Sequence, residues 1–279
     1  MYWKSFTDDN GFIYSLDNVR LNLDFGSPEN ASKITHLMEH VDTYSDQVSL
    51  KFYHSLRNFT YRYLYTLSSG SVSFTVGVGF LGTGKEQPLG FLDFNPNKVQ
   101  PVPVLSELLQ KVLDFSFSAE LVRYDLAIDM PFSRSSCKLI RQGKKLYTYM
   151  IKDDGVTEYS GRRSHSGFIK LYDKTIESGL DFPLTRLEIT LDKSADLESF
   201  FPEVWIYDTQ NSLLLSQDLS NTQKVLVDLI RQSEIPSSFF CKLDRMTRAK
   251  IRPYCTDKVL ALYSPAWFQV KSLAFSYEK

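Results

Sequence analysis

Apolar and polar residues alternate in short segments along most of the chain, and this pattern constrains the fold more than any other feature. Successive side chains of a β-strand point to opposite faces, so such alternation predicts strands with one buried face. It is clear in six segments: 19–25, 72–76, 91–94, 122–129, 168–172 and 186–191. Apolar residues at helical spacing mark three more: 30–41, 104–115 and 222–232. The sequence therefore predicts an α+β fold, with antiparallel or mixed sheets and helices packed on one side.

Two pairs of segments resemble each other and occur in the same order along the chain. Residues 19–24 resemble 122–129, and residues 90–98 resemble 167–174. We interpret this as an internal duplication of two lobes. The predicted organisation is an N-terminal α+β lobe over 1–100, a second α+β lobe with the candidate catalytic residues over 101–201, and a mostly helical C-terminal element over 202–279.

Charge is distributed unevenly, although the formal net charge of the chain is only −1. Residues 131–174 hold ten basic and four acidic residues, and residues 242–258 hold six basic and two acidic ones. Such clusters attract a polyanion such as DNA, although a solvated basic face is an equally good interpretation of charge alone. Three cysteines without CxxC spacing predict free thiols in a reducing cytoplasm. No apolar run is long enough to span a bilayer, so no membrane partner is expected.

Three of the predicted strands combine an apolar face with an ionisable one. If these strands are neighbours, the ionisable faces collect carboxylates, cations and a tyrosine on one surface. An alternative from pattern alone is an exposed sheet face that carries only cross-strand salt bridges. The ionisable faces hold Arg123, Asp125 and Asp129; Lys170, Tyr172 and Lys174; and Arg186, Glu188 and Thr190.

These residue types suit phosphodiester chemistry. Carboxylate oxygens are the ligands that Mg²⁺ or Mn²⁺ prefers, and such an ion polarises a phosphodiester. Arginine and lysine bind phosphate oxygens. A tyrosine hydroxyl attacks phosphorus once it is activated, since its pKa in water is about 10.

The motifs of residues 90–191 resemble the replication initiation factor family. Its members include initiators of rolling-circle plasmids, filamentous-phage replication proteins and relaxases of integrative conjugative elements. The resemblance is carried, in order, by Arg123-x-Asp125-x-x-x-Asp129, by Tyr159 with Gly161-Arg162-Arg163-Ser164, by Tyr172-Asp173-Lys174, and by Arg186-x-Glu188.

The resemblance implies a nickase that cuts one DNA strand at an origin and links a tyrosine to the 5′ phosphate. It implies that Tyr172 is the nucleophile, with Tyr159 as its rival, assisted by Mg²⁺ or Mn²⁺. We expect Tyr172 to lie between the two-aspartate strand and the Arg-x-Glu strand, on their shared polar face. The implied metal ligands are Asp125, Asp129 and Glu188. The implied phosphate and DNA contacts are Arg123, Arg162, Arg163, Ser164, Lys170, Lys174 and Arg186.

Two other functions remain open at this stage. One is a DNA-binding regulatory protein that does not cleave, and the other is an interaction protein whose polar face is a salt-bridge surface. If the chain is a nickase, its partner is single-stranded or supercoiled origin DNA, with a homodimer and a host helicase as further candidate partners. The sequence leaves the origin open, and with it the choice between plasmid, phage and conjugative element and between initiator and relaxase.

Overall fold

The fold is seen in a computed structural model of the chain, in which most of residues 5–195 and parts of the C-terminal segment are described. The described ranges are 5–8, 11–41, 46–54, 60–81, 86–140, 146–152, 155–163, 165–195, 203–206, 219–232, 241–255, 258–260 and 272–279.

Strands dominate these ranges. The strands are β1 (Phe6–Thr7), β2 (Ile13–Asp24), β3 (Ser49–His54), β4 (Tyr61–Ser69), β5 (Val72–Phe80), β6 (Gln87–Phe94), β7 (Ser118–Met130), β8 (Cys137–Ile140), β9 (Tyr147–Lys152), β10 (Gly155–Ser160), β11 (Phe168–Asp173), β12 (Thr185–Asp192), β13 (Glu203–Ile206) and β14 (Lys258–Leu260). The helices are α1 (Pro28–Glu39), α2 (Pro96–Val99), α3 (Pro103–Phe115), α4 (Lys174–Ser178), α5 (Asn221–Gln232) and α6 (Arg245–Cys255).

Eleven of the strands form one antiparallel sheet in the described part of the chain, in the order β3-β4-β5-β6-β2-β7-β12-β11-β10-β9, with β1 paired to β2. This confirms the predicted α+β class. The predicted lobes 1–100 and 101–201 each supply half of this sheet, and β2 pairs with β7 where the halves meet. The expected position of Tyr172 was wrong: β12 lies between β7 and β11, because the last strand of each half pairs with the first.

Both halves of the sheet have the same strand order. If β1 and β8 are left aside, each half has five strands. Outward from the centre, each half then runs from its first strand to its fifth, fourth, third and second. The segments 19–24 and 122–129, which resemble each other, lie in β2 and β7, which hold equivalent places in the two halves. The segments 90–98 and 167–174 also resemble each other, but they lie in strands that are not equivalent: β6 is the last strand of its half and β11 is the fourth of the other. The duplication therefore stays an interpretation.

The core lies between one face of the sheet and the elements that cover it. Helix α1 begins at Ser27, whose side chain accepts a hydrogen bond from the Asn30 amide, and it buries Ile34, Leu37 and Met38 against the sheet. Helix α3 likewise buries one apolar stripe. Beyond β7, strands β8, β13 and β14 form a small second sheet. These elements leave the opposite, polar face of the large sheet for the candidate site.

The last described segment, 272–279, packs against the junction of the two halves. The ring of Tyr277 contacts Phe94 at 5.2 Å between centroids, and its hydroxyl accepts a hydrogen bond from Gln100. Lys279 donates to three backbone carbonyls at the end of α3. The predicted C-terminal element over 202–279 thus contributes two strands and packing contacts as well as helices. None of the helices in the described ranges is long and apolar enough to cross a membrane.

Candidate functional site

The registers of β7, β12 and β11 place the predicted site residues in rows across the polar face. Directly paired residues share a face, so each row is a set of neighbouring side chains. The rows are Asp129–Arg186–Tyr172, Ala127–Glu188–Lys170 and Asp125–Thr190–Phe168.

Tyr172 lies on the floor of this face and contacts two of the predicted residues. Its hydroxyl donates a hydrogen bond to Glu188 Oε1, and Lys170 Nζ lies 3.6 Å from its ring centroid. Lys170 Nζ is also 3.5 Å from Glu188 Oε2. Tyr172 is only 5% exposed, so its burial, together with the charge of Glu188, raises the pKa of the hydroxyl far above its ordinary value. The geometry pairs a protonated phenol with a carboxylate that accepts its hydrogen bond.

Arg186 is held from both sides by carboxylates. Its Nε and Nη2 donate to Asp129 at 2.5 and 2.6 Å, and its Nη1 donates to Asp17 at 2.8 Å. Asp17 also accepts a hydrogen bond from Asn95. Burial lowers the pKa of Arg186, but the hydrogen bonds and charges of the two aspartates outweigh it, so the pKa is raised.

Asp17 was not among the predicted site residues. It lies where the register between β2 and β7 shifts, between Leu16 and Asn18. Such a bulge turns a side chain toward a face that simple alternation does not assign. The consecutive polar residues Asp17 and Asn18, within an otherwise alternating strand, were the available signal.

Three carboxylates were predicted to hold a divalent ion, and the described residues contain no cluster of three potential metal-ligating side chains. Asp129 has both oxygens bonded to Arg186. Asp125 differs, because its buried Oδ1 has no hydrogen-bond partner within the part of the chain that the structure describes. Burial raises its pKa, against the opposing effects of Thr190 and Arg123. Mg²⁺ commonly takes only one or two protein carboxylates, so Asp125 and Glu188 remain a chemically suitable pair.

Glu188 combines burial with a crowded electrostatic environment. Burial raises the pKa of its carboxyl, and the negative charge of Asp17 raises it further, whereas Lys170 and Arg186 act in the opposite direction. The Glu188 carboxyl is therefore a stronger base than an exposed glutamate, as acceptance of a tyrosine proton requires.

A cleft of about 690 Å³ opens over the second and third rows. It is lined by three cations, two carboxylates and two aromatic rings, and strand β9 forms a further wall. The lining residues are Arg123, Asp125, Leu146, Thr148, Met150, Tyr159, Gly161, Arg163, Phe168, Lys170, Glu188 and Thr190.

The remaining predicted DNA contacts fall at different places. Arg162 and Arg163 are exposed in the turn after β10, and Ser164 lies outside the described residues. Lys174 was predicted to continue β11 but begins α4, because Asp173 caps that helix through the Ile176 amide. Its ammonium group pairs with Glu177 and lies 5.9 Å from the centroid of the Tyr172 ring.

One member of the basic cluster over 131–174 is not available to a polyanion. Arg134 is buried on the other side of the sheet and pairs with Glu158 at 2.5 Å. Glu158, which has no exposed surface, also accepts hydrogen bonds from Tyr147 and from the Leu139 amide. This pair belongs to the core, so the positive charge at the cleft comes from fewer residues than the sequence count suggested.

Comparison with known proteins adds one structural similarity. The chain matches no protein-family model and no curated protein sequence. The fold is similar to the solved structure of the rolling circle replication initiator protein from Geobacillus stearothermophilus. The match covers 95% of this chain and 97% of that chain, with 13% sequence identity and a TM-score of 0.41. A sequence identity and a TM-score this low support no conclusion about the family of this chain or about its chemistry. The residues of the polar face therefore carry the functional argument.

Proposed function

We propose that this chain is a tyrosine-dependent DNA strand-nicking enzyme, either a rolling-circle replication initiator or a relaxase, with Tyr172 as its nucleophile. The observation that carries the proposal is the hydrogen bond from the Tyr172 hydroxyl to Glu188, with Lys170 in contact with both side chains. A phenol attacks phosphorus only if its proton is removed, and a buried carboxylate within hydrogen-bond reach is a suitable acceptor. The order of the sequence motifs supports the same function.

The proposed reaction is a transesterification. The Tyr172 oxygen forms a bond to the phosphorus of one DNA strand, and its proton passes to Glu188. The bond from that phosphorus to the 3′ oxygen breaks, and the 3′ oxygen takes up a proton from water. The products are a 5′-phosphotyrosine link and a free 3′ hydroxyl. The reverse reaction rejoins the strand, so no external energy source is required.

Different cations serve different parts of this reaction. Lys170 lies over the Tyr172 ring and stabilises negative charge on the phenolate as it forms. Arg123 and Arg163 line the cleft and form no salt bridge with a carboxylate of the described residues, so they suit contacts with DNA phosphates. Arg186 was predicted to contact phosphate, but its guanidinium is committed to Asp129 and Asp17. We assign it the role of keeping positive charge beside Tyr172.

A divalent ion is a proposed cofactor of the cleft. Asp125 and Glu188, which both line the cleft, would hold it, with the second oxygen of Glu188 as the ligand because Oε1 accepts the Tyr172 hydrogen bond. When bound, such an ion polarises the phosphodiester and neutralises charge in the transition state. Asp129 would support the site indirectly, through Arg186.

A non-cleaving DNA-binding protein is the second candidate, and the burial of Tyr172 favours it. A nucleophile that is 5% exposed must meet its phosphate at the edge of the cleft, whereas DNA binding alone needs only the cations on the cleft wall. On this alternative, the Tyr172–Glu188 bond stabilises the sheet and has no chemical role.

Covalent adduct formation separates the two candidates. The protein is incubated with single-stranded DNA of random sequence and with Mg²⁺ or Mn²⁺, and adducts are resolved on a denaturing gel. We expect adducts with the unaltered chain and with Tyr159→Phe, and none with Tyr172→Phe. Tyr124→Phe is the matched control, because the buried Tyr124 hydroxyl has no hydrogen-bond partner among the described residues.

Three outcomes contradict all or part of the proposal. Adducts that persist in Tyr172→Phe and vanish in Tyr159→Phe show that Tyr159 is the nucleophile. DNA binding without adducts under either metal supports the non-cleaving alternative. If the protein does not bind DNA at low salt, both candidate functions are contradicted. The polar face would then be a surface of cross-strand salt bridges.

A further inference from the structure

Two of the aromatic rings on the polar face line the cleft, on the side of the sheet away from the core. Tyr159 of β10 and Phe168 of β11 both line the cleft, and each is only partly buried. Their ring centroids are 5.8 Å apart and their planes differ by 17°. At this distance two nearly parallel rings are displaced sideways and overlap only in part. They therefore form a stepped aromatic surface in the cleft.

The surroundings of these rings combine stacking with positive charge. Tyr159 is the direct register partner of Lys170, and Arg163 lies in the same cleft. Next to Tyr159, Leu146 just before β9 is 62% exposed, and Met150 of β9 adds a second apolar side chain on the same face. Aromatic rings beside cations are typical of surfaces that bind single-stranded nucleic acid, because bases stack on the rings while the cations contact the phosphates.

We propose that Tyr159 and Phe168 form a nucleobase-binding subsite of the cleft, which takes an unpaired base of the DNA strand that is cut. The proposal rests on the proposed function and deepens it. A base within a duplex is already stacked on both sides, so only an unpaired base fits against the rings. The subsite assigns the ring of Tyr159 to binding and leaves its hydroxyl without a chemical role.

The position of the subsite relates it to the nucleophile. Tyr159 is paired with Lys170, and Lys170 contacts the Tyr172 ring. A base that stacks on Tyr159 therefore brings its own phosphate next to Lys170, one side chain away from the Tyr172–Glu188 bond. Stacking thus positions the strand for attack without contacting the reacting atoms.

Oligonucleotides with and without bases test the subsite. Binding of a short single-stranded oligonucleotide of mixed sequence is compared with binding of the same oligonucleotide carrying abasic sites, in EDTA so that metal-assisted cleavage is suppressed. We expect the unaltered chain and Tyr159→Phe to prefer the base-bearing oligonucleotide by about tenfold or more. In Tyr159→Leu and Phe168→Leu this preference falls several-fold, while the affinity for the abasic oligonucleotide is kept.

A measurement on the unaltered chain keeps the test independent of how well the variants fold. An oligonucleotide with 2-aminopurine at successive positions loses fluorescence where that base stacks on an aromatic ring. We expect one or two adjacent positions to be quenched on binding, and the quenching to remain in Tyr159→Phe.

The outcomes separate this proposal from the proposed function. If the unaltered chain forms adducts but binds abasic and base-bearing oligonucleotides equally, the subsite is overturned and nicking stands. If Tyr159→Phe abolishes adducts, the hydroxyl is chemically required and the subsite is overturned. If neither oligonucleotide binds, the proposed function fails, and the subsite with it.

Discussion

Arg186 holds the carboxylate of Asp129 through two hydrogen bonds, from Nε to Oδ1 at 2.5 Å and from Nη2 to Oδ2 at 2.6 Å. A paired guanidinium and carboxylate of this geometry satisfy each other, and breaking a buried pair is costly. Two residues that the motif pattern assigns to metal and phosphate binding therefore bind each other. In the neighbouring row, Glu188 and Lys170 both contact Tyr172, and these side chains carry the proposed chemistry.

Asp17→Asn should shift the pH dependence of strand nicking. The negative charge of Asp17 adds to burial in raising the pKa of Glu188, so removing that charge lowers the pKa. Since Glu188 must be ionised to accept the Tyr172 proton, the acidic limb of the pH–rate profile moves to lower pH. The rate of adduct formation is measured against pH, with the exposed Asp181→Asn as control. An unchanged acidic limb contradicts the assignment of Glu188 as base.

Asp125→Asn should alter how stability depends on pH. Burial raises the pKa of Asp125 in the folded chain above that of the unfolded chain, which is about 3.9. The folded state then binds more protons in the interval between the two pKa values, so the free energy of unfolding falls as pH rises through it. This contribution to stability is fully present below the unfolded pKa and lost above the folded one. Asparagine does not titrate, so the variant should lose less stability than the unaltered chain over this interval, as measured by urea unfolding in EDTA.

Asp125 and Asp129 should differ in their effect on metal binding. Affinity for a hard cation follows the number of charged ligands, so Asp125→Asn should weaken Mn²⁺ binding by about tenfold or more. Asp129→Asn should instead destabilise the fold by about 3–5 kcal/mol, because it leaves Arg186 without its buried bidentate partner. Calorimetric titration with Mn²⁺ measures the first effect and urea unfolding the second. Equal losses of Mn²⁺ affinity in both variants would restore the three-carboxylate site.

Glu158→Gln should destabilise the fold without entering the chemistry. The Arg134 guanidinium donates to Glu158 and to the backbone carbonyls of Cys137 and Val156, all away from the cleft. Neutralising the carboxylate leaves a buried cation without its counter-ion, at a cost of about 3–5 kcal/mol in the free energy of unfolding. Urea unfolding measures this loss.

An exposed ion pair provides the comparison for Glu158. Glu120 is 67% exposed and pairs with Lys193 at 3.3 Å, and surface pairs contribute about 0–1 kcal/mol. Glu120→Gln should therefore change stability little. Equal effects of the two substitutions would mean that the Arg134–Glu158 pair is not buried in solution.

Gly77→Ala should destabilise the N-terminal half of the sheet by overpacking. A Cβ at this position would lie 2.2 Å from Cε1 of Phe91, whose ring covers the glycine and is itself covered by the Arg20 guanidinium. Inserting a methyl group into a packed site costs about 1–3 kcal/mol. The measurement is thermal unfolding, with Ser73→Ala at an exposed position of the same strand as control. Adding Phe91→Leu should recover part of the loss, and failure of this rescue would point to backbone strain instead.

Much of the fold follows from local pattern. Alternation predicted six strands, of which five lie within observed strands and the sixth, 19–25, extends one residue past the end of β2. An alternating segment buries its apolar side chains in only one local conformation. The same period placed Asp129, Glu188 and Tyr172 on the polar faces of their strands. A local pattern carries no information about which strand pairs with which. The prediction that β11 lies between β7 and β12 was therefore wrong.

What the sequence determined by itself was the class of the fold, the faces of its strands and the residue types on the polar face. The tertiary structure alone decided the partners of those residues. Asp17 bonds Arg186 at the point where the register between β2 and β7 shifts. Arg134 is withdrawn from the basic surface because it pairs with the buried Glu158. The direction of side chains in a strand repeats every two residues, so it can be predicted from the sequence. The pairing of charges depends on which distant strands become neighbours and on how deeply each group is buried, and folding sets both.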